Sequence, residues 1–223
     1  MLGKHTVEKI GGSSMSRFAE VMRNVILGQR ETGELYNRVF IVSAYGGITN
    51  MLLEDKKNGT PGVYGKFASG SDAWEDHLET VRARMIEFNR SFRDLGLDQG
   101  LADEFVHLRL NGIRDCLLNL LQLRSFGLFT LNNYLPPTRE LLSAVGEAHS
   151  AYNSTLILQK QGINAKFVDL TGWMQSESLT FDDAVNQAFA GIDYSGFLQY
   201  LREPPGKITV YRTVLDVQRE RDL

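Results

Sequence analysis

The amino-acid sequence predicts an α/β fold, a three-layer α/β/α sandwich with a mainly parallel central sheet. Two features support this prediction. A strand-like run, a Gly-Gly turn and a helical pattern follow one another twice, over residues 4–28 and 38–57. In the second run, residues 39–42 are all apolar, as in a strand that is buried on both faces. Strands that alternate with helices through glycine turns are typical of a parallel sheet.

The composition is that of a globular chain and argues against several classes of protein. The length of 223 residues predicts one domain, or one domain and a small part of another. Hydrophobic residues make up 43% and charged residues 23%, which excludes disorder as the main state. The net charge of −3 argues against a dedicated nucleic-acid-binding protein. No apolar run is long enough for a membrane span, and the first residues do not form a signal peptide.

Cysteine usage predicts the compartment and restricts the metal chemistry. Cys116 is the single cysteine, so the sequence predicts no internal disulfide and no cysteine-ligated zinc site. We expect a reducing, cytoplasmic setting and predict no protein metal site.

The remaining elements follow from hydrophobic spacing and turn residues. The first strand covers residues 5–10, and Ser13, Ser14 and Ser16 are candidate N-caps for the helix that follows. The other predicted elements are a strand at 38–44, a helix at 49–57, a loop at 59–70 over the site, helices at 74–95 and 101–126, a helix from the N-cap Thr138 to about 161, a strand at 165–170, a helix at 181–189 and a strand at 207–210. In the second long helix, the predicted apolar stripe comprises Phe105, Leu108, Gly112, Cys116, Leu120 and Leu123.

The first candidate site is the segment that runs from Lys9 through Gly11 and Gly12 to Ser13. Glycines let backbone N–H groups approach an anion closely, and a helix N-terminus favours negative charge. Lys9 adds a positive charge and the serines add hydroxyl donors, so the segment has the outline of a phosphate cradle. The alternative is a tight turn beside a solvated lysine.

Two further segments contain candidate functional residues. At the end of the second strand, Ser43, Gly46, Gly47 and Thr49 would line the same crevice, because ligands of open α/β sheets bind at the carboxyl ends of strands. The alternative is that Thr49 caps its helix and Ser43 bonds backbone. On a later helix, Glu147 could bind an ammonium group, or could be an ordinary surface residue.

In order and spacing, these segments resemble the aspartokinases of the amino-acid kinase superfamily. The family motifs K-F-G-G-(S/T)-S, V-S-A-x-x-G-x-T-N and S-x-G-E correspond to residues 9–14, 42–50 and 143–147. The loop at 55–64 is similar to the variant that is associated with ectoine-producing gene clusters. The resemblance covers roughly residues 4–190, the N-terminal part of the kinase domain.

The resemblance implies transfer of the γ-phosphoryl group of Mg-ATP to the side-chain carboxylate of L-aspartate, with Mg²⁺ held mainly by the phosphates. This reaction is the first step of aspartate-family amino acid or ectoine biosynthesis. Lys9 would neutralise charge on the phosphoryl group and is the implied catalytic residue. The implied phosphate-binding residues are Gly11, Gly12, Ser13, Ser43, Gly46 and Gly47. Thr49 would bind aspartate and Glu147 its α-ammonium. The implied partners are L-aspartate, ATP and further copies of the chain, with no nucleic acid and no membrane.

Departures from the family pattern define further expectations. Ile10 replaces phenylalanine, Ser13 takes the serine/threonine position, and Gly46-Gly47 lacks one hydroxyl that the family usually has. No R-G-G-S-D-like segment follows. We therefore expect residues 1–198 to be the first part of a truncated kinase domain, with a helical insertion or lid at 61–135 and an atypical tail at 199–223. Such a chain would have little activity alone. The alternatives are a non-catalytic, self-associating fragment, or a kinase for a different carboxylate.

Overall fold

Four parallel strands form the sheet in the computed structural model of the chain. The structure describes residues 6–28, 30–31, 34–36, 38–127 and 129–169 and the backbone of 208–212. The strands are β1 (Thr6–Ile10), β2 (Arg38–Val42), β3 (Ala165–Val168) and β4 (Ile208–Arg212), in the order β1-β2-β4-β3. The predicted strands at 5–10 and 38–44 are neighbours in one sheet, paired from Thr6 with Arg38 to Ile10 with Val42. The predicted α/β fold with a parallel sheet is confirmed.

The helices differ widely in length. They are α1 (Gly12–Met15), α2 (Phe18–Val21), a π-helical turn (Met22–Leu27), α3 (Ile48–Leu52), α4 (Val63–Ala68), α5 (Trp74–Ser91), α6 (Gln99–Ser125) and α7 (Leu135–Lys160), with short 3₁₀ turns at Arg93–Leu95 and Leu131–Asn133. The predicted helix at 181–189 lies outside the described residues.

Helix α7 and the π-helical turn pack on the same face of the sheet. This face carries Phe40 on β2 and Phe167 on β3, which share a register position with Val210 of β4. The ring of Tyr152 on α7 lies 5.5 Å from that of Phe167. Toward the other edge, Arg38 donates to the carbonyls at the end of the π-helical turn. Packing on this face therefore fixes α7 beside the carboxyl ends of the strands.

An ion pair between β1 and β2 anchors the edge of the sheet. The guanidinium of Arg38 contacts both carboxylate oxygens of Glu8, at 2.6 and 2.7 Å, and also lies over the ring of Phe40. Only 3% of the Arg38 side chain is exposed. Its hydrogen bonds hold the pKa of Glu8 below the usual range.

Two of the predicted helix N-caps are wrong. The serines after β1 do not cap the following helix, since Gly11 is the N-cap of α1 and no side chain caps it. Thr138 is also not a cap, because α7 begins at Leu135 with proline in its first turn, and the Thr138 hydroxyl bonds back to the Tyr134 carbonyl. Pro136 and Pro137 start this helix, as the missing N–H of proline is tolerated in a first turn.

The segment after β2 also differs from the prediction. Helix α3 ends at Leu52 rather than at 57, because the Asp55 carboxylate accepts the backbone N–H groups of Lys57 and Asn58 and closes a turn. These bonds lower the pKa of Asp55. Within the predicted loop at 59–70, Val63 and Phe67 are buried and form the inner face of α4.

The predicted apolar stripe of α6 is rotated from the buried face. Leu108 of that stripe is exposed. The side chains of this helix that are buried lie at Ala102, Val106, Arg109, Leu110, Ile113 and Leu117. Apolar residues lie on several sides of α6, so more than one apolar stripe fits the helical spacing of its sequence.

Candidate functional site

A cavity of about 340 Å³ lies where the glycine turns after β1 and β2 meet α7. It is at the carboxyl ends of the parallel strands, the usual ligand position in open α/β sheets. Its lining residues are Gly12, Ser13, Ser43, Ala44, Tyr45, Gly46, Gly47, Thr49, Asn50, Leu53, Glu54, Lys56, Arg139, Glu140, Ser143 and Glu147.

The structure brings most of the predicted site residues together. Seven of them line the cavity: Gly12, Ser13, Ser43, Gly46, Gly47, Thr49 and Glu147. The two others, Lys9 and Gly11, belong to the segment that leads into it. Lys9 is exposed on β1, opposite Ile41 in the register, and Gly11 has open space where a side chain would begin. The functional roles of these nine residues stay predictions.

Two of the alternative interpretations do not fit the observed positions. Thr49 does not cap its helix, because the N-cap of α3 is Gly47, whose φ of 88° lies in the left-handed region that favours glycine. Glu147 is not an ordinary surface residue, because it is half-buried and borders the cavity. Both side chains are therefore placed where a ligand would contact them.

Ser16 joins the two glycine turns, which sequence reasoning did not foresee. Its hydroxyl oxygen accepts the N–H of Gly46 at 2.7 Å, and the hydroxyl contacts the Gly12 carbonyl at 3.2 Å. Gly12 also lies close to the second turn, since a side chain there would approach the Ala44 carbonyl oxygen to 2.7 Å. The N–H of Gly46 is thus used to hold the cradle together, and among the described residues no side chain caps the first-turn N–H groups of α1.

Close packing of small residues brings α7 against the turn after β2. A side chain on Gly146 would begin 2.8 Å from the Ala44 Cβ and 2.9 Å from the Ile48 Cγ2. One turn further along, the Ser150 hydroxyl donates to the Ser43 carbonyl at 2.8 Å. Gly146 therefore sets the distance between the Glu147 backbone and the glycine turn.

We expect Gly146→Ala to destabilise the protein, although alanine is the better helix former. The added methyl group must displace Ala44 or Ile48, and overpacking of this kind costs about 1–3 kcal/mol. Gly100→Ala is the matched control: this glycine is in the first turn of α6 and its nearest neighbour would lie at 3.4 Å. Urea unfolding should show a loss for Gly146→Ala and none for Gly100→Ala. Equal stability of the two variants would contradict this packing.

The cavity also contains charged residues that no motif indicated. Arg139 on α7 donates to Glu54, just after α3, at 2.7 Å, and its guanidinium lies 5.9 Å from the centre of the Tyr64 ring. Arg139, Ser143 and Glu147 are successive four-residue steps along one side of α7. That spacing is the signal that sequence analysis missed.

The S-x-G-E motif is only partly matched on α7. Ser143 lies four residues before Glu147, whereas the motif has its serine three residues before the glutamate, where this chain has Ala144.

Behind the cavity, a buried polar cluster connects Tyr45 to α5 and α7. His149 Nε2 lies 2.6 Å from Asn89 Oδ1, which also accepts from Asn153 at 2.7 Å. The Asn89 amide in turn donates to Asp103 on α6. Asn89 Oδ1 can only accept, so it can take the Nε2 proton of a neutral His149. Burial lowers the pKa of His149 to about 3.

The ring of Tyr45 covers this cluster on the side of the cavity. It lies edge-on to His149, with 5.3 Å between ring centres, and stacks on Phe88 at 4.8 Å. Burial raises the pKa of its hydroxyl, so Tyr45 stays neutral. Because Tyr45 directly precedes Gly46, the cluster fixes the base of the second glycine turn.

The described part of the chain contains neither a cluster of potential metal ligands nor a helix that could span a membrane. There, no group of three or more His, Cys, Asp and Glu side chains converges in a way that could hold a metal ion. No helix among these residues combines the length and the apolar character needed to cross a membrane.

A family model for the amino acid kinases matches residues 4–203, nearly the whole chain. The chain belongs to the amino acid kinase family. It is also similar to the aspartate kinase Ask_Ect of Stutzerimonas stutzeri (strain A1501), with 47% identity over 193 residues. That match includes 86% of this chain but 40% of the relative, so the chain spans well under half of the relative's length.

Solved structures of the same family have a similar fold. One is E. coli aspartokinase III in complex with lysine and aspartate, with a TM-score of 0.55 and 20% identity. Another is the same enzyme with aspartate and ADP, with a TM-score of 0.54 and 19% identity. The matches cover 94% and 93% of this chain and about two fifths of those chains. At this identity the likeness shows the amino-acid kinase fold alone.

Proposed function

We propose that the cavity binds L-aspartate beside the terminal phosphates of Mg-ATP and serves an aspartate kinase. The observation that carries this proposal is the convergence of both glycine turns and Glu147 on one cavity. The 47% identical relative is an aspartate kinase, which supports the choice of substrate. The product is 4-phospho-L-aspartate, the first intermediate of aspartate-family amino acid or ectoine biosynthesis.

The proposed reaction needs positioning and charge neutralisation more than proton transfer. An oxygen of the ionised side-chain carboxylate attacks the γ-phosphorus of ATP. The bond from this phosphorus to the bridging oxygen breaks, and ADP leaves with the electron pair. Because the nucleophile is already deprotonated, no general base is required. The chain must hold two anions in line and offset their repulsion.

The lining residues divide between the two substrates. The backbone N–H groups of Gly11, Gly12 and Ser13 would hold phosphate oxygens, since no side chain in the described part of the chain caps α1. Lys9 would neutralise charge on the transferring phosphoryl group, with its flexible side chain reaching the end of β1. Ser43, Gly46 and Gly47 would form the wall between the substrates.

Two side chains would select the amino acid. Thr49 offers a hydroxyl at the start of α3, and Glu147 offers a half-buried carboxylate from α7. A carboxylate shielded from water pairs strongly with an ammonium group. This arrangement favours an α-amino acid over a simple dicarboxylate as the acceptor.

Magnesium would enter with the nucleotide, held mainly by the phosphates. When bound, the ion supplies charge neutralisation across the β- and γ-phosphates. We expect no protein ligand for the ion; the carboxylates that line the cavity are those of Glu54, Glu140 and Glu147. We further propose a cytoplasmic homo-oligomer, which light scattering would distinguish from a monomer.

Hydroxylamine trapping tests the proposed activity directly. Acyl phosphates react with hydroxylamine, so aspartate kinase activity should give an ATP-dependent hydroxamate with L-aspartate, at a rate that we expect to be low for this chain alone. L-Glutamate, whose side chain is one methylene longer, should react more slowly by roughly 10–200-fold. Lys9→Met should lower the rate while leaving the affinity for L-aspartate unchanged. Hydroxamate formation with another carboxylate but not with aspartate would favour the alternative of a different amino-acid kinase.

A further inference from the structure

We propose that Asn89 is a positioning residue for the kinase reaction and acts on the cavity from behind. It lies on α5 and does not line the cavity, so it contacts neither substrate. Through the buried polar cluster it sets the separation between the second glycine turn and Glu147. This role rests on the proposed function, because the separation matters only where the cavity holds the phosphates of ATP beside L-aspartate.

The amide of Asn89 connects three helices. Its Oδ1 atom lies 2.6 Å from His149 Nε2 and accepts from Asn153 at 2.7 Å, both on α7. Its Nδ2 atom donates to Asp103 on α6, also at 2.7 Å. The backbone carbonyl of Asn89 accepts from Gln99, at the start of α6, at 2.8 Å. The Asn89 side chain is completely buried, so contacts with water cannot replace the contacts of its amide.

The second glycine turn is attached to this cluster through Tyr45. The Tyr45 ring is edge-on to His149 and stacks on Phe88, the residue before Asn89. Only 1% of Tyr45 is exposed, so its ring cannot move without displacing these neighbours. Since Gly46 follows Tyr45 directly, a shift of the cluster moves the turn as well.

The direction of Glu147 depends on the same cluster. His149 follows Glu147 by two residues, which places the two side chains about 200° apart around α7. The contacts of His149 and Asn153 with Asn89 therefore hold the rear of this helix and fix the rotation that turns Glu147 toward the cavity. One buried amide thus holds both walls of the cavity in register. A misplacement of about 1 Å between reacting groups can lower a rate by about a hundredfold.

The composition of the cluster favours a positioning role over a contribution to stability alone. Among the described residues, three buried polar atoms in and beside the cluster have no hydrogen-bond partner: Tyr45 Oη, His149 Nδ1 and Asn153 Oδ1. Such atoms cost stability, and apolar groups of the same shape would avoid that cost. Hydrogen bonds depend on direction and distance more than apolar contacts do, so the Asn89 amide specifies one arrangement of α5, α7 and Tyr45.

The Asn89→Leu variant tests this role, because leucine keeps the shape of the side chain but removes its hydrogen bonds. At saturating substrates, we expect hydroxamate formation to fall by about tenfold to a hundredfold from the low rate of the parent. The affinity for L-aspartate, measured by isothermal titration, should stay close to that of the parent, because each wall is intact by itself. The matched control is Val81→Ala, which removes buried atoms about two turns earlier in α5. It should lower the urea midpoint without changing the rate.

A double variant tests whether Asn89 acts through Tyr45. Tyr45→Leu removes the ring that joins the cluster to the glycine turn and should also lower the rate. Because both changes disturb one connection, their effects on the rate should be less than additive when Asn89→Leu and Tyr45→Leu are combined. Asn153→Leu removes one hydrogen bond to Asn89 and provides the same comparison where Asn89→Leu does not fold.

Four outcomes would overturn the positioning role. They are an unchanged rate in folded Asn89→Leu, an equal fall in Val81→Ala, a parallel loss of rate and of L-aspartate affinity, and additive losses in the double variant. A parent protein that forms no hydroxamate would instead refute the proposed function, and the positioning role with it.

Discussion

Replacement of Glu147 by glutamine should lower the affinity for L-aspartate by a factor of tens to thousands. The amide keeps the size of the side chain but removes the charge that faces the α-ammonium group. Loss of one partner of a desolvated charge pair costs about 2–5 kcal/mol. Glu147 meets this condition because it is half-buried at the cavity rather than free in solvent. Isothermal titration of L-aspartate into the two proteins measures the difference.

Two comparisons identify the cause of that loss. Succinate has both carboxylates but no ammonium, so Glu147→Gln should not weaken its binding. Glu140→Gln introduces the same change into the same helix and the same cavity, at a residue to which we assign no role in binding. We expect it to reduce the affinity for L-aspartate much less than Glu147→Gln does. Equal losses in both variants, or equal losses for succinate and aspartate, would contradict the ammonium contact.

Acid should destabilise the protein through His149. Its pKa is about 3 in the folded state, against about 6.5 when exposed, because burial disfavours the charged imidazolium. At a pH between these two values, His149 therefore binds a proton in the unfolded chain but not in the folded chain. Stability is complete above about pH 6.5 and falls by about 1.4 kcal/mol for each unit toward pH 3. Between pH 6.5 and 4.5 the loss is about 3 kcal/mol.

The His149→Gln variant isolates this effect. Glutamine retains a hydrogen-bonding side chain but does not titrate. The free energy of unfolding of the variant should therefore not show the loss of about 3 kcal/mol between pH 6.5 and 4.5, whatever the absolute stability of the variant. His77, whose pKa is also lowered by burial, titrates in both proteins and cancels in the comparison. Glu8 and Asp55, whose pKa values are lowered by hydrogen bonds, are likewise present in both proteins and cancel. Parallel pH profiles in urea unfolding would show that His149 is not buried neutral.

Local patterns were sufficient to predict the sheet and the glycine turns. The apolar run of β2 is typical of a buried strand in any context, and Gly47 has the left-handed φ of 88° that favours glycine. The long helices α5, α6 and α7 were also predictable from spacing that extends over many turns. The parallel order of strands then placed both turns at one edge of the sheet.

The rest of the site depends on contacts between distant segments. Ser16 is thirty residues from Gly46, and Arg139 is 85 residues from Glu54, so neither pair has a local signal. The serines after β1 are good cap residues in isolation, yet Ser16 contributes more by joining two turns. Helix α4 is short and forms because Val63 and Phe67 reach the core. In each case tertiary packing overrode a local preference.

A crystal structure of this chain with L-aspartate and Mg-ADP would test the central claim most directly, namely that this one cavity binds both substrates. We predict electron density for the aspartate ammonium beside Glu147, with the β-phosphate against the backbone of Gly12 and Ser13. Aspartate bound outside the cavity, or a nucleotide whose phosphates lie away from the first glycine turn, would contradict the proposed site.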